Sequence, residues 1–194
     1  NEVYCIRQNK AGNLLIGTFD GFNFFNPQKK IFTHMSDNNL FSTDYANTIY
    51  SIHEDRKGGI WLGTDNAGLV YIDKDNANSK VFATDQGLPD NVIYGILEDN
   101  DGNLWLSANN GLSKVVTGKD MANISFINYH EDNWLHCNSF NIGAYHKNAD
   151  GILFFGCDEG VVFFDPDDIR VNEYVPPVVI TDFQLFFQPM KVGP

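Results

Sequence analysis

The sequence predicts an all-β chain made of four repeated antiparallel units, and three observations support that fold class. A segment that opens on Gly and continues with an apolar run occurs four times, beginning at Gly12, Gly58, Gly102 and Gly151. Each of these glycines closes a turn of Asp or Asn and two variable residues, a composition typical of tight hairpins. The chain between the turns is rich in β-branched and aromatic residues and lacks a sustained 3.6-residue period. Units that recur every 44 to 49 residues therefore predict repeated strands, and a solenoid or propeller architecture.

The first strand of each unit precedes the turn. Its alternating apolar residues are typical of a strand, and the four copies are residues 3–8, 49–54, 93–98 and 142–147. The turns follow at residues 9–12, 55–58, 99–102 and 148–151. Because each turn reverses the chain, the next strand is expected to pair antiparallel with the first.

The second strand is centred on Leu15, Trp61, Trp105 or Phe154, with apolar neighbours that predict burial on both faces. A third strand follows the next glycine at residues 22–25, 69–72, 112–116 and 161–164, and a weaker fourth lies at 31–33, 81–83 and 124–127. Four-stranded antiparallel units that are apolar on both faces are typical of β-propeller blades. We therefore predict four four-stranded blades that form an arc of a larger propeller, over residues 1–173 (about 1–46, 47–90, 91–139 and 140–173).

The repeat ends after the fourth unit. Val175, Pro176 and Pro177 predict a stiff extended connector, and residues 178–187 predict a strand that belongs to a different domain. Residues 174–194 are therefore interpreted as a linker and the first strand of a further domain.

Several of these motifs resemble a known family. Gly102-Asn103-Leu104-Trp105-Leu106 with Asn110-Gly111-Leu112, preceded by residues 87–91, is similar to the two-component regulator propeller repeat. Residues 176–181 look like the start of the Ig-like Y_Y_Y domain that follows such propellers. The chain departs from the repeat at Leu15, where Trp is usual, and at Ser107, where Gly is usual.

The resemblance implies the periplasmic sensor region of a hybrid two-component system of the kind typical of gut Bacteroides. In that family a sensor histidine kinase, a response regulator and a DNA-binding region share one polypeptide for signal transduction by phosphorelay. The resemblance further implies carbohydrate sensing, with an oligosaccharide ligand, and attachment to the membrane through a transmembrane helix absent from this segment. The start at Asn1 suggests a piece of a longer protein.

The charge balance limits the partners. The chain has 13 basic and 25 acidic residues and a formal charge of −12, which argues against binding to nucleic acid or to anionic membrane surfaces. Four blades leave two apolar faces uncovered, with three outcomes open: closure as a four-bladed ring, pairing of two arcs, or aggregation. We favour head-to-tail pairing into a dimer.

The cysteines are odd in number and lack the close spacing of a zinc or redox motif. We interpret Cys5, Cys137 and Cys157 as free, mostly buried thiols. A single disulfide between two of them stays open, because sequence does not give the distance between their Cα atoms.

The sequence shows no catalytic constellation and predicts no cofactor and no metal site. Asp99-Asn100-Asp101-Gly102 resembles the start of a calcium loop but lacks the later Glu, and we interpret it as a hairpin turn. The repeat pattern breaks in one stretch where aromatic and polar residues mix, which favours a glycan or partner surface. Its candidate residues are Tyr129, His130, Asn133, Trp134 and His136. A loop that only fills the gap between blades is the competing interpretation.

The function expected from the sequence is that of a noncatalytic sensor fragment. A propeller-fold glycan lyase or hydrolase is one alternative, and a passive protein-interaction scaffold is another. Residues 38–47 and 85–91 are second-rank candidates for ligand contact.

Overall fold

The structure, a computed structural model, describes residues 2–35, 48–75, 78–117, 124–130 and 135–169, together with the backbone of 184–185 and 188–189. The strands of residues 3–164 form three four-stranded antiparallel sheets and one three-stranded sheet, in chain order, as blades 1 to 4. Blade 1 consists of β1 (Val3–Gln8), β2 (Leu14–Thr18), β3 (Gly21–Asn26) and β4 (Ile31–His34). Blade 2 consists of β5 (Ile49–Glu54), β6 (Ile60–Thr64), β7 (Leu69–Ile72) and β8 (Ser79–Phe82). Blade 3 consists of β9 (Ile93–Glu98), β10 (Leu104–Ala108), β11 (Gly111–Thr117) and β12 (Ile124–Tyr129), and blade 4 of β13 (Phe140–Lys147), β14 (Leu153–Cys157) and β15 (Gly160–Phe164).

Each blade is a meander in which consecutive strands pair antiparallel. The first strands, β1, β5, β9 and β13, contact one another from blade to blade, and β13 also contacts β1. These four inner strands therefore surround the axis, with the later strands outside them. The predicted all-β propeller arrangement is confirmed. In the fourth blade the described residues form three strands, and β13 begins two residues before the predicted start at residue 142.

Three hydrophobic cores hold the blades together, each between two neighbouring blades. The face that a blade turns to the following blade is called its forward face, and the opposite one its rear face. Between blades 2 and 3, Trp61 and Phe82 of one forward face pack on Ile96 and Leu106 of the next rear face. Matching cores contain Leu15 with Leu62 and Trp105 with Phe155. Because burial of apolar area is the main stabilising term in folding, every blade depends on its neighbours.

In each blade, the side chain of the first turn residue holds the turn before the second strand. That residue is Asp or Asn, depending on the residue six positions later. Asp99 Oδ1 accepts the backbone N–H of Asp101 and Asn103, while its Oδ2 accepts Trp105 Nε1–H at 3.0 Å. Asp55 does the same for Trp61, at 2.9 Å. Blades 1 and 4 have Leu15 and Phe154 at that position, and their turns begin with Asn, whose single oxygen suffices for the turn.

The cysteines correct one expectation. Cys137 and Cys157 form a disulfide with a Cα–Cα separation of 6.5 Å, so the interpretation of all three as free thiols was wrong and the open alternative holds for this pair. The two residues are 20 positions apart, but the loop before β13 returns to the end of β14. Cys5 is free, and burial raises the pKa of its thiol to about 11.

Some predictions fall outside the described residues. The predicted connector at 175–177 lies there, and the blade boundaries and the Ig-like segment stay predictions. Within 178–187, the described backbone shows β16 (Gln184–Leu185), which pairs antiparallel with β17 (Gln188–Pro189).

Candidate functional site

The structure places Tyr129 in the core. This last residue of β12 is 8% exposed, and its ring stacks on Trp105 with centroids 5.6 Å apart. Burial raises the pKa of its hydroxyl. Tyr129 therefore packs between blades 3 and 4, and its ring does not offer an open face to a ligand.

The two histidines of the predicted surface lie on either side of residues 131–134. His130 is half-buried and lies beside Gly111, because a Cβ added at Gly111 would lie 3.1 Å from the His130 Nδ1. His136 is exposed between the buried Leu135 and Cys137, and it lines a small cavity of 120 Å³. Asn133 and Trp134 lie outside the described residues, so the shared surface stays a prediction.

The second-rank loop at 85–91 packs against the protein as an ordered crossing from blade 2 to blade 3. It starts with a 3-10 turn at Thr84–Gln86, and Leu88 inserts its side chain into the core between these blades. Asn91 holds the loop through its side-chain oxygen, which accepts the Thr84 N–H, and its carbonyl, which accepts the Gly68 N–H. The other second-rank loop, 38–47, lies outside the described residues.

A larger cavity, which sequence reasoning missed, lies where the inner strands run into their turns. It has a volume of 410 Å³ and is called the inner-strand cavity. Its polar lining includes Arg7, Lys10, His53, Glu54 and Tyr145, and its apolar lining consists of Leu15, Ile52, Ile96 and Leu97. Small-molecule sites commonly combine such an apolar wall with a few polar groups.

Arg7 and Tyr145 meet across this cavity from blades 1 and 4. Arg7 Nη2 donates a hydrogen bond of 3.2 Å to the Tyr145 hydroxyl, and its guanidinium lies 5.6 Å from the ring centroid. Burial raises the pKa of Tyr145, although the nearby Arg7 charge lowers it in part. Among the described residues, Arg7 has no carboxylate partner.

The carboxylates around the cavity are engaged by other groups. Glu98 accepts from Arg56 Nε at 2.9 Å and lies 2.9 Å from His53 Nε2. Glu54 accepts the backbone N–H of Lys10 at 2.7 Å. The Lys10 ammonium donates to the carbonyls of Asp55 and Arg56. These contacts join blade 1 to blade 2 and blade 2 to blade 3. Of the two arginines that the structure describes, they leave Arg7 without a carboxylate partner and available to a ligand.

A weak sequence signal marks this cavity. Five residues before each leading glycine, the inner strands carry Arg7, His53, Leu97 and His146. Three polar residues at a repeated position of otherwise apolar strands indicate a polar axis. The pairing of Arg7 with Tyr145, 138 positions away, has no local signal.

The opposite ends of the inner strands are aromatic and acidic. Tyr4, Tyr50 and Tyr94 occupy the same position in blades 1 to 3, with successive ring centroids 5.1 and 5.7 Å apart. Tyr50 donates to Asp65 at 2.8 Å, and burial together with this carboxylate raises the pKa of its hydroxyl. The hydrogen bond to Glu2 raises the pKa of Tyr4. The two ends of the inner strands thus differ in charge.

Over the part of the chain that the structure describes, no group of three or more His, Cys, Asp or Glu side chains is placed to hold a metal ion. Within that same part, no helix has the length and apolar character needed to cross a membrane.

Comparisons with known proteins agree on the family of the repeats. The two-component regulator propeller model matches residues 46–66 and 87–110, which contain the first hairpins of blades 2 and 3. The histidine kinase P4 of Formosa agariphila is 34% identical over 148 residues, which are 76% of this chain and 7% of that protein.

Solved structures give the same result. The extracellular domain of a hybrid two-component system from B. thetaiotaomicron matches with a TM-score of 0.77 and 34% identity, over 94% of this chain and 24% of that domain. A second such domain from the same organism matches with a TM-score of 0.72 and 25% identity, over 87% of this chain and 23% of that one. Virginiamycin B lyase from Staphylococcus aureus shares the fold alone. It matches with a TM-score of 0.57 and 17% identity, over 84% of this chain and 55% of the enzyme. The chain spans about a quarter of these extracellular domains and a small part of the kinase. Its repeated blades and these matches show that it belongs to the proteins built from two-component regulator propeller repeats.

Proposed function

We propose that this chain is a noncatalytic, ligand-sensing segment of the periplasmic region of a hybrid two-component histidine kinase, and that its ligand is a glycan-derived oligosaccharide. The observation that carries the proposal is the 34% identity to the extracellular domain of a hybrid two-component system, over 94% of this chain. The kinase that would receive the signal lies outside the chain, as does the membrane helix that would anchor it.

The Cys137–Cys157 disulfide supports a location outside the cytoplasm. Disulfides persist in oxidising compartments such as the periplasm and are rare in the cytosol. The disulfide also joins the loop before β13 to the end of β14, which stabilises blade 4 in such a compartment.

Ligand binding is tested by thermal unfolding in the presence of a panel of neutral and acidic oligosaccharides. A ligand at 100 times its Kd adds about 2.7 kcal/mol to the free energy of unfolding, which raises the Tm of a chain of this size by about 5–10 °C. Stabilisation without chemical change of the saccharide supports a sensor. Cleavage of the saccharide would favour the enzyme alternative. No stabiliser, together with a protein partner in pull-downs, would favour the scaffold.

Self-association of the isolated chain is part of this proposal, and two uncovered blade faces support it. On the forward face of blade 4, Phe163 is 67% exposed and Val161 is 63% exposed. On the rear face of blade 1, Val3 and Ile6 are exposed, at positions where blades 2 and 3 bury isoleucines. Blade 4 presents the kind of face that blade 1 lacks behind it. Although β13 already contacts β1 within one chain, these apolar side chains stay exposed and are complementary to a second copy in head-to-tail order.

Light scattering after gel filtration tests the pairing. The 194-residue chain is expected to have twice its monomer mass, and Phe163→Lys is expected to return it to the monomer because a charge would be buried without a partner. Lys29→Met, on the β3–β4 turn of blade 1, is the control because it changes no residue of the forward face of blade 4. A native chain that stays monomeric at high concentration would contradict the pairing.

A further inference from the structure

We propose that the inner-strand cavity binds the carboxylate of an acidic saccharide, with the Arg7 guanidinium as its anchor. This inference rests on the proposed function and narrows its ligand to oligosaccharides that contain a uronic acid. The cavity has a volume of 410 Å³, within the range of about 300–1,000 Å³ that is common for small-molecule sites.

Arg7 is positioned but not neutralised. One of its nitrogens donates to the neutral Tyr145 hydroxyl, and the Tyr145 ring lies beneath the guanidinium at 5.6 Å. A cation–π contact of this kind orients the group and leaves its charge in place. The guanidinium carries five N–H donors in a planar fork, so donors remain for a carboxylate, which the fork binds through two parallel hydrogen bonds.

The other charged groups of the cavity are already engaged. His53, which lines the cavity, has its Nε2 2.9 Å from Glu98 Oε2 just outside it, and Glu54 accepts the backbone N–H of Lys10. The Lys10 ammonium is bound to two backbone carbonyls and adds positive charge without a carboxylate partner in the described chain. Because Glu54 also lines the cavity, the balance favours a single carboxylate over a densely sulfated ligand.

The apolar lining fits the rest of a sugar. Leu15, Ile52, Ile96 and Leu97 border the same space as Arg7. Leu15, Ile52 and Ile96 are almost fully buried beneath the cavity, and Leu97 is half-buried. The apolar C–H face of a pyranose ring can therefore lie against Leu97 while its carboxylate meets Arg7.

The test is isothermal titration calorimetry with digalacturonate, dimannuronate and cellobiouronate, each compared with its methyl ester. The ester removes the charge and keeps the sugar. At least one acid is expected to bind the native chain at least tenfold more tightly than its ester, since hydrogen bonds to charged groups are the stronger class. Arg7→Met is expected to weaken binding of that acid by at least about tenfold, and Lys29→Met is expected to leave it unchanged.

Tyr145→Phe keeps the ring beneath Arg7 and removes the hydroxyl, so it is expected to retain most of the affinity. Thermal unfolding of each variant checks the fold, and the comparison of acid with ester on the native chain does not depend on any variant. Equal binding of acid and ester, or an unchanged affinity in a folded Arg7→Met, would overturn the inference. If neutral oligosaccharides bind and the three acids do not, the inference fails and the proposed function stands. If no oligosaccharide of any kind binds, both fail.

Discussion

Replacement of Asp99 by Asn tests the explanation of why Asp accompanies Trp in two of the four turns. Asp99 is 2% exposed, and its Oδ2 accepts hydrogen bonds from Asn103 Nδ2 at 2.9 Å and from Trp105 Nε1 at 3.0 Å. In Asp99→Asn the oxygen that serves the turn is kept, but an NH₂ group replaces Oδ2 and faces two donors. The buried indole N–H then loses its acceptor.

The expected cost follows from these contacts. Hydrogen bonds to charged groups contribute about 1.5–3 kcal/mol each, and a buried donor without a partner costs a similar amount. We expect Asp99→Asn to lower the free energy of unfolding by about 2–4 kcal/mol, which corresponds to a fall in Tm of about 4–16 °C. Asn9→Asp is the matched control, because the turn of blade 1 has Leu15 where blade 3 has Trp105, and its cost is expected to be below about 0.5 kcal/mol.

The assay is a double-mutant cycle by urea unfolding with Trp105→Phe. Since the second change removes the indole N–H, Asp99→Asn is expected to cost about 1–2 kcal/mol less in that background. Equal costs in both backgrounds would show that the indole hydrogen bond is not coupled to the carboxylate, and the explanation would be refuted.

The same carboxylate gives a pH dependence with a definite sign. Burial raises the pKa of Asp99, but the hydrogen bonds from Asn103 and Trp105 outweigh it and hold the pKa below its ordinary value. The folded state therefore binds this proton less readily than the unfolded state. The stabilisation is present above the ordinary Asp pKa of about 3.9 and is lost as the pH falls through the lower folded value. Asp99→Asn is expected to lose less stability than the native chain between pH 5 and pH 2, and identical losses would contradict this assignment.

The remaining predictions concern the backbone and the disulfide. Gly111→Ala is expected to cost more than about 2 kcal/mol, beyond the roughly 1 kcal/mol of a left-handed backbone, because φ is +97° and the new Cβ would meet the Tyr129 carbonyl oxygen. Gly143 also has a positive φ, of +73°, but open space around it, so Gly143→Ala is expected to lose only the roughly 1 kcal/mol of the left-handed backbone. Equal falls in Tm for the two variants would contradict the steric argument. Reduction of Cys137–Cys157, which closes a loop over a separation of 20 residues, is expected to cost about 3 kcal/mol. An unchanged Tm after reduction would exclude that contribution. So would an equal change on adding reductant to a variant in which Cys137 and Cys157 are both replaced by Ser.

The strands and turns of the blades could be predicted from sequence because their causes are local. Gly12, Gly58, Gly102 and Gly151 all have positive φ, as a turn that closes on glycine requires. Trp61 and Trp105 lie fully inside the cores, as expected for apolar residues at the same position of each blade.

The candidate site was less accessible to sequence reasoning. The break in the repeat drew attention to Tyr129, yet its ring fills the core against Trp105. An aromatic residue at a strand end has the same sequence signature whether it meets a ligand or a neighbouring blade. The inner-strand cavity depends on Arg7 and Tyr145, which belong to different blades, so no motif connects them.

The sequence by itself therefore determined the four units, their strand order and their turn chemistry, since hydrogen bonding and apolar alternation act between residues close along the chain. The tertiary structure decided which cysteines pair, which faces stay uncovered and where the Arg7 guanidinium lies. Those features depend on distances between residues of different blades, and only the packing of complete sheets around the axis sets such distances.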